Sequence, residues 1–145
     1  MIDPHKKVRE AFYTVLNGNL SYDGENVPVV DDAVTLEDNV DMYVLLSSQT
    51  AVEVSNFTKY QHDCTITIDI THKTTYSVTK NGVDEVAQQI FDRISTGVTT
   101  NGLPISDVIQ YVNLQKETDN YLEMELSSGA IIRRIVVFNL LVHEK

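Results

Sequence analysis

Apolar residues recur at helical spacing near the start of the chain. Five of them keep the three- and four-residue spacing that places side chains on one face of a helix: Val8, Ala11, Phe12, Val15 and Leu16. Asp3 is a good capping residue, Pro4 suits the first helical turn, and Gly18 favours the end of a helix. The pattern predicts an amphipathic helix that follows Asp3 and ends before Gly18.

The same spacing returns between residues 83 and 94. The apolar positions of this segment are Val83, Val86, Ala87, Ile90, Phe91 and Ile94. Asn81 or Gly82 precedes it, Asp84 favours the positive end of a helix, and Gly97 ends it. We therefore expect a second amphipathic helix in this segment.

The remaining ordered segments have the pattern of strands. The clearest is 64–71, where Ile66, Ile68 and Ile70 alternate with threonine and aspartate, as in a half-buried antiparallel strand. In the last segment one face is apolar apart from Arg134. Ser127-Ser128-Gly129 has the composition of a hairpin turn. The predicted strands are 42–46, 51–57, 64–71, 108–114, 121–126 and 131–142.

This order of elements predicts a single α+β domain over residues 1–145, with a mostly antiparallel β-sheet packed against two amphipathic helices. Helices do not alternate with strands, which argues against a doubly wound parallel sheet. We expect the second helix to pack on Ile66, Ile68 and Ile70, with Phe12 and Leu16 covering the same sheet. Two long loops remain, 22–41 (with a short strand at 27–30) and 97–104.

The charge balance limits the classes of partner. The chain of 145 residues has 21 acidic and 11 basic residues, a formal net charge of −10. Binding of nucleic acid through phosphates needs clustered Lys and Arg, and the only local basic group is Lys6, Lys7 and Arg9. No segment has the roughly 20 apolar residues that span a bilayer. We expect neither specific DNA binding nor a membrane partner.

The sequence contains no recognisable catalytic motif. A glycine-rich phosphate loop and a Gly-x-Ser-x-Gly elbow are both missing. Cys64 is the single cysteine, so no internal disulfide forms. His62 lies two residues before Cys64 on the same strand face, roughly 6–7 Å away and too far for a direct hydrogen bond. A buried structural cysteine is therefore favoured over a nucleophile, and we expect no enzyme activity and no cofactor.

The four histidines raise a metal hypothesis. They are His5, His62, His72 and His143. None has the helical spacing of a zinc helix, and only His62-Asp63-Cys64 forms a local cluster. Surface or half-buried histidines at the ends of elements are the favoured interpretation, and we expect no metal site.

The most biased segment is the long acidic loop, which contains seven acids and no base. The acids are Asp23, Glu25, Asp31, Asp32, Glu37, Asp38 and Asp41. Carboxylates are suitable ligands for Ca²⁺, but the spacing of a calcium loop is missing. A solvated, self-repelling loop is the simplest interpretation. A loop that docks a partner or lines a DNA passage is the functional alternative.

Three groups of residues carry a resemblance to a known family. The first is a helix ending in Leu16-Asn17-Gly18, followed by Ser21-Tyr22-Asp23-Gly24 and Val27-Pro28-Val29-Val30. The second is Met42-Tyr43-Val44-Leu45-Leu46-Ser47-Ser48-Gln49-Thr50. The third is Tyr60 with Thr65-Ile66-Thr67-Ile68-Asp69-Ile70, a loop, and the helix near 81–94. In this order the chain resembles the tail-terminator (tail-completion) and head-to-tail joining proteins of long-tailed bacteriophages.

The resemblance implies a structural virion protein that is assembled in the host cytoplasm. Such a protein forms a ring, often a hexamer, at the head-proximal end of the tail. There it ends polymerisation of the tail-tube protein, joins the tail to neck or connector proteins, and lets DNA pass without specific binding. The seven acids would then lie in a lumen or docking loop. A small non-enzymatic adaptor or binding module of α+β fold is the alternative.

Overall fold

The computed structural model describes residues 3–31, 40–56, 58–75, 79–94, 103–104, 109–127 and 129–144. These residues form two helices and seven strands. In chain order they are α1 (Pro4–Leu16), β1 (Ser21–Tyr22), β2 (Glu25–Asn26), β3 (Val29–Val30), β4 (Met42–Glu53), β5 (Gln61–Thr74), α2 (Asn81–Arg93), β6 (Ile109–Leu126) and β7 (Gly129–Glu144). The predicted α+β class is confirmed.

Five strands form the main sheet in the order β3-β4-β5-β7-β6. All neighbours are antiparallel except β3 and β4, which run parallel with Val29 beside Val44. The long connection between β3 and β4 allows this pairing, because parallel neighbours need a connection that returns the chain to the same end of the sheet. β1 and β2 form a separate hairpin.

The first helix begins and ends close to the predicted residues. The carboxylate of Asp3 accepts a hydrogen bond from the backbone N–H of His5 at 3.0 Å, and Pro4 is the first helical residue. The helix ends at Leu16, and Gly18 follows with φ +78°, a left-handed conformation that suits glycine. Its buried side chains are Val8, Ala11, Phe12 and Leu16.

The second helix begins earlier than expected, at Asn81, so the prediction that Asn81 or Gly82 precedes it was wrong. Gly82 instead allows α2 to pack closely against the sheet. A Cβ added to Gly82 would lie 2.8 Å from both Nδ1 of His72 and Cε of Met42, so the sheet contacts the helix backbone directly. The helix ends at Arg93, and Gly97 lies outside the described residues.

Four of the predicted strands are halves of two longer ones. Segment 42–46 and residues 51–53 belong to β4, which ends at Glu53, so the predicted strand 51–57 extended too far; Phe57 is not described. Segments 108–114 and 121–126 belong to β6, with Val108 also outside the described residues. The pairing shifts between Leu46 and Gln49 in β4, and twice in β6. An extra residue at such a bulge breaks the alternation while the strand continues.

The core lies between the helices and one face of the sheet. The predicted contact face of β5 is confirmed, since Ile66, Ile68 and Ile70 are fully buried. The ring of Phe138 on β7 lies 5.9 Å from that of Phe12 and 6.3 Å from that of Phe91, so both helices meet on this strand. No helix formed by the described residues is long and apolar enough to cross a membrane.

Candidate functional site

The acidic segment begins in the β1–β2 hairpin. Asp23 and Gly24 form its turn with φ +53° and +81°, the left-handed pair that an Asp-Gly hairpin turn requires. Gln89 of α2 holds this hairpin, because its side-chain amide accepts from Ser21 N–H at 2.9 Å and donates to Ser21 C=O at 2.7 Å. Asp23 is thus a turn residue at a fixed position on the fold, with its side chain exposed.

Three of the predicted acids line one cleft of about 690 Å³. Asp23 and Glu25 come from the hairpin, and Asp41 comes from the residue before β4. The end of β5 forms the opposite wall. The lining residues are Tyr22, Asp23, Glu25, Asn26, Val27, Pro28, Val40, Asp41, Met42, His72, Lys73, Thr74 and Thr75.

The other predicted acids lie elsewhere. Asp31 is on the α1 side, with Oδ2 3.8 Å from Nε of Arg9 in an exposed ion pair. Asp32, Glu37 and Asp38 lie outside the described residues. The structure therefore brings together three of the seven acids and separates a fourth.

His72 is the titratable group on the floor of this cleft. Its Nδ1 is buried without a hydrogen-bond partner among the described residues, and its ring meets Tyr22 edge-on at 5.3 Å. Burial lowers the pKa of His72, while the nearby carboxylate of Asp41 acts in the opposite direction. Within the described ranges, no three His, Cys, Asp or Glu side chains form a group that could hold a metal ion.

The His62–Cys64 pair does not form a reactive site. Cys64 is buried, and burial together with the charge of Asp63 raises the pKa of its thiol to about 11. Its Sγ lies 3.8 Å from the backbone oxygen of His62. A thiol that stays protonated near neutral pH is a poor nucleophile, because the thiolate is the reactive form.

Two arginine–carboxylate clusters were not anticipated from the sequence. On the sheet face away from the helices, Arg133 binds both carboxylate oxygens of Asp69, and Thr71 donates to the same carboxylate at 3.2 Å. Asp69 lay on the polar face of the predicted strand, but its partner depends on the pairing of β5 with β7. Hydrogen bonding to Asp69 raises the pKa of Arg133.

The second cluster joins the β6–β7 hairpin to α2. Arg134 donates to Asp119 of β6 through Nε at 2.9 Å and Nη2 at 2.7 Å, and to Asp84 of α2 through Nη1 at 2.9 Å. Its guanidinium also lies 5.4 Å from the ring centre of Phe91 and 5.3 Å from that of Tyr121. Arg134, the polar residue that interrupts the apolar face of β7, thus connects the β6–β7 hairpin to α2.

Exposed apolar side chains form two patches. The first surrounds the β4–β5 turn and contains Val52, Val54 and Tyr60, with Val52 62% exposed. The second lies on β6 and contains Leu122 and Met124, with Met124 53% exposed; Tyr121 is on the other face of the strand, where its hydroxyl donates to Asp84 of α2 at 2.6 Å. Contiguous apolar side chains on a surface mark interaction sites more often than isolated ones do.

The fold is similar to that of a known virion component. No protein-family model matches the chain, and no curated protein matches its sequence. A chain in the solved structure titled "Virion of native gene transfer agent (GTA) particle" is 16% identical, with a TM-score of 0.61 over 96% of this chain and 90% of that chain. This chain therefore has the same fold, over nearly its whole length, as a protein of a virion.

Proposed function

We propose that this chain is a structural virion protein that forms a ring at the head-proximal end of a phage-like tail. In that position it ends growth of the tail tube, joins the tail to the neck and lets DNA pass. The observation that carries the proposal is the shared fold with a chain of the gene transfer agent virion, which covers 96% of this protein. The order of elements seen in tail terminators leads to the same assignment.

The two ends of the sheet support a position between different neighbours. The apolar patch of Val52, Val54 and Tyr60 lies at the end where β4 turns into β5. The cleft with Asp23, Glu25 and Asp41 lies at the opposite end, where Met42 of β4 pairs with His72 of β5. A ring that contacts a tail tube on one side and a neck on the other needs two such unlike faces.

The role proposed here is non-enzymatic. Cys64 is the strongest nucleophile candidate by residue type, and it is buried with a pKa of about 11. The acid-lined cleft combines carboxylates with Lys73 and a histidine whose pKa is lowered, but its Nδ1 faces the backbone of α2 instead of the cleft opening. The geometry supports binding and assembly better than catalysis.

Mass photometry of the purified protein over a concentration series tests the proposal, together with negative-stain images and antibody labelling of intact particles. We expect oligomers of one size with a central hole, and label at the head-proximal end of the tail. A protein that stays monomeric throughout and is missing from purified particles would contradict the proposal. That outcome would favour the adaptor alternative.

A further inference from the structure

The two lateral edges of the sheet differ in what covers them. Strand β6 forms one edge, and within the described residues its outer side pairs with no other strand. Strand β3 forms the other edge, and α1 packs on the face of the sheet next to it, against β3, β4 and β5. The β6 edge is therefore an unpaired strand, whereas the outer surface of α1 lies on the helical face of the sheet, nearer to the β3 edge.

The edge strand β6 is protected by bulges only in its first half, and elsewhere by acidic side chains. It has 18 residues, and the register shifts are confined to its first half, before Thr118. From Thr118 to Leu126 the pairing with β7 is regular. This second half contains no proline and no lysine, and it presents Leu122 and Met124 to solvent. A long, regular edge that exposes apolar side chains offers a surface for pairing, and the acids of this one favour a partner with positive charge.

The charges exposed on β6 and on α1 are opposite. On β6, Glu117 and Glu125 are exposed and lie outside ion-pairing distance of the described lysines and arginines. The nearby Lys116 forms an ion pair with Asp119 instead. On α1, Lys6 is 64% exposed, and the side chain of Arg9 is 40% exposed. Their contacts with Glu10 and Asp31, at 3.9 and 3.8 Å, are long and exposed, so these ion pairs contribute little to stability. Nη1 of Arg9 also donates to Oε1 of Gln49 at 3.2 Å, which positions this side chain.

Each of these two elements also presents an exposed aromatic ring. Tyr13 on α1 is 43% exposed, and Tyr121 on β6 is 41% exposed. Tyrosine is enriched in protein interfaces because its ring is apolar while its hydroxyl still meets water or a partner. Tyr121 is partly engaged, because its hydroxyl donates to Asp84 at 2.6 Å, whereas the lysine and arginine of α1 are opposite in charge to Glu117 and Glu125 of β6.

We propose that the occupant of the β6 edge is a second copy of this chain, which contacts it through α1. This inference rests on the proposed ring. A head-to-tail contact uses two different surfaces on each copy and closes into a ring when the rotation is right. A symmetric β6–β6 contact would instead bring two acidic strands together, with the carboxylates of Glu117 and Glu125 near those of the second copy, which is repulsive.

Charge reversal on each surface tests the contact. The first variant is Glu117→Lys with Glu125→Lys, and the second is Lys6→Glu with Arg9→Glu. Each variant alone should need at least about tenfold more protein to form rings, because each meets a neighbour of like charge. Mixed in equal amounts they should form rings again, since each variant then meets its opposite.

Controls separate a folding defect from an interface defect. Glu85→Lys with Asp92→Lys makes the same charge change as the first variant, but on the exposed face of α2, and it should assemble like the natural protein. Circular dichroism melts show whether each variant is folded. If the reversal variants do not fold, cross-linking decides: Tyr13→Cys with Met124→Cys, in a Cys64→Ala background, should give a ladder of linked chains.

The outcomes distinguish this inference from the proposed function. Suppose that the natural protein forms rings. If each reversal variant then forms rings equally well, or if mixing the two variants does not restore ring formation, the proposed interface is wrong while the proposed ring still holds. Cross-linked dimers from Met124→Cys alone would overturn the head-to-tail contact in favour of a symmetric one. If the natural protein forms no ring at any concentration, the proposed function itself fails.

Discussion

Arg134 and Asp119 form a two-pronged ion pair across strands β7 and β6. Nε of Arg134 lies 2.9 Å from Oδ1 of Asp119, and Nη2 lies 2.7 Å from Oδ2. Only 15% and 16% of the two side chains are exposed. Parallel hydrogen bonds of this kind fix geometry as well as adding stability. Together with the bond from Arg134 to Asp84, they set the position of the β6–β7 hairpin against α2.

Replacing Arg134 should therefore destabilise the fold. Arg134→Ala leaves two carboxylates near one another without their common donor, and we expect a loss of about 1–3 kcal/mol in the free energy of unfolding. Arg134→Lys should recover only part of it, because lysine cannot make the paired bonds or stack between the two rings. Urea unfolding measures both. Arg93→Ala, an exposed arginine at the end of α2, is the matched control. Equal stability of Arg134→Ala and the natural protein would show that Arg134 does not stabilise the contact between the hairpin and α2.

The same pair predicts a pH dependence. Hydrogen bonding from Arg134 is the largest cause that lowers the pKa of Asp119 below its ordinary value of 3.8. A carboxyl group whose pKa is depressed by folding contributes stability that is fully present above the unfolded pKa. That contribution is lost as the pH falls through the lower folded value. The stability difference between the natural protein and Asp119→Asn should therefore shrink between about pH 5 and about pH 2.

Unfolding measured at several pH values in this window tests the dependence. Asp92→Asn is the control, because no described arginine lies within ion-pairing distance of this exposed residue. A stability difference for Asp119→Asn that stays constant down to the lowest pH would show that the pair does not act through the charge of Asp119.

The central strand should be the most sensitive part of the core. Ile68 is fully buried, and it lies on β5 between β4 and β7. Ile68→Ala should cost about 2–5 kcal/mol, the range for deleting methyl groups from a packed interior. Val52→Ala, at a position 62% exposed, should cost less than about 0.5 kcal/mol. Thermal or urea unfolding measures both, and similar small losses would mean that Ile68 is not a packed core residue.

The face of β5 could be predicted from the sequence because strand side chains alternate with a period of two. Ile66, Ile68 and Ile70 keep that period without interruption, and they are the residues that the helices cover. The continuity of β4 and β6 could not be predicted, since a bulge changes the parity of every later position. Gln49 thus occupies the inner face, where it accepts a hydrogen bond from Arg9.

The arrangement of the candidate site depended on contacts between distant segments. The Asp-Gly turn at Asp23 has a local signal, but the attachment of this hairpin to Gln89 spans 68 residues. The pairing of Asp69 with Arg133 likewise requires the register of two strands that are far apart in the chain. Local patterns predict elements and faces, whereas strand order and register decide which charges meet.

Cys64 should behave as a structural residue. Burial raises the pKa of Cys64 from its ordinary value of 9.0 to about 11, so at pH 8 its thiolate is on the order of a hundredfold scarcer than that of an ordinary thiol. Iodoacetamide should therefore label the folded protein at least about a hundredfold more slowly than the protein in urea. Ring assembly should also survive both Cys64→Ser and His62→Ala. Rapid labelling, or loss of assembly in a stably folded variant, would reopen a reactive role.

The acidic loop provides the last prediction. Unpaired carboxylates resist desolvation, so this segment should lie in the lumen or at an end of the proposed ring, where water remains. In the lumen its charge would discourage DNA from adhering, an effect damped beyond about 8 Å at physiological salt. At an end it would instead order against a neighbouring ring. The described part fits either position, because Asp23, Glu25 and Asp41 are exposed at one end of the sheet.

Neutralising Asp31, Asp32, Glu37 and Asp38 to Asn or Gln separates these positions. Rings that form and join normally but release DNA more slowly would place the loop in the lumen, whereas tails that fail to join heads would place it at the docking surface. The control removes two acids on the exposed face of α2, through Glu85→Gln and Asp92→Asn, and should leave both steps intact. If the loop variant also changes neither step, the loop is a solvated surface and both roles are wrong, because loss of four charges at a working site must alter one of them.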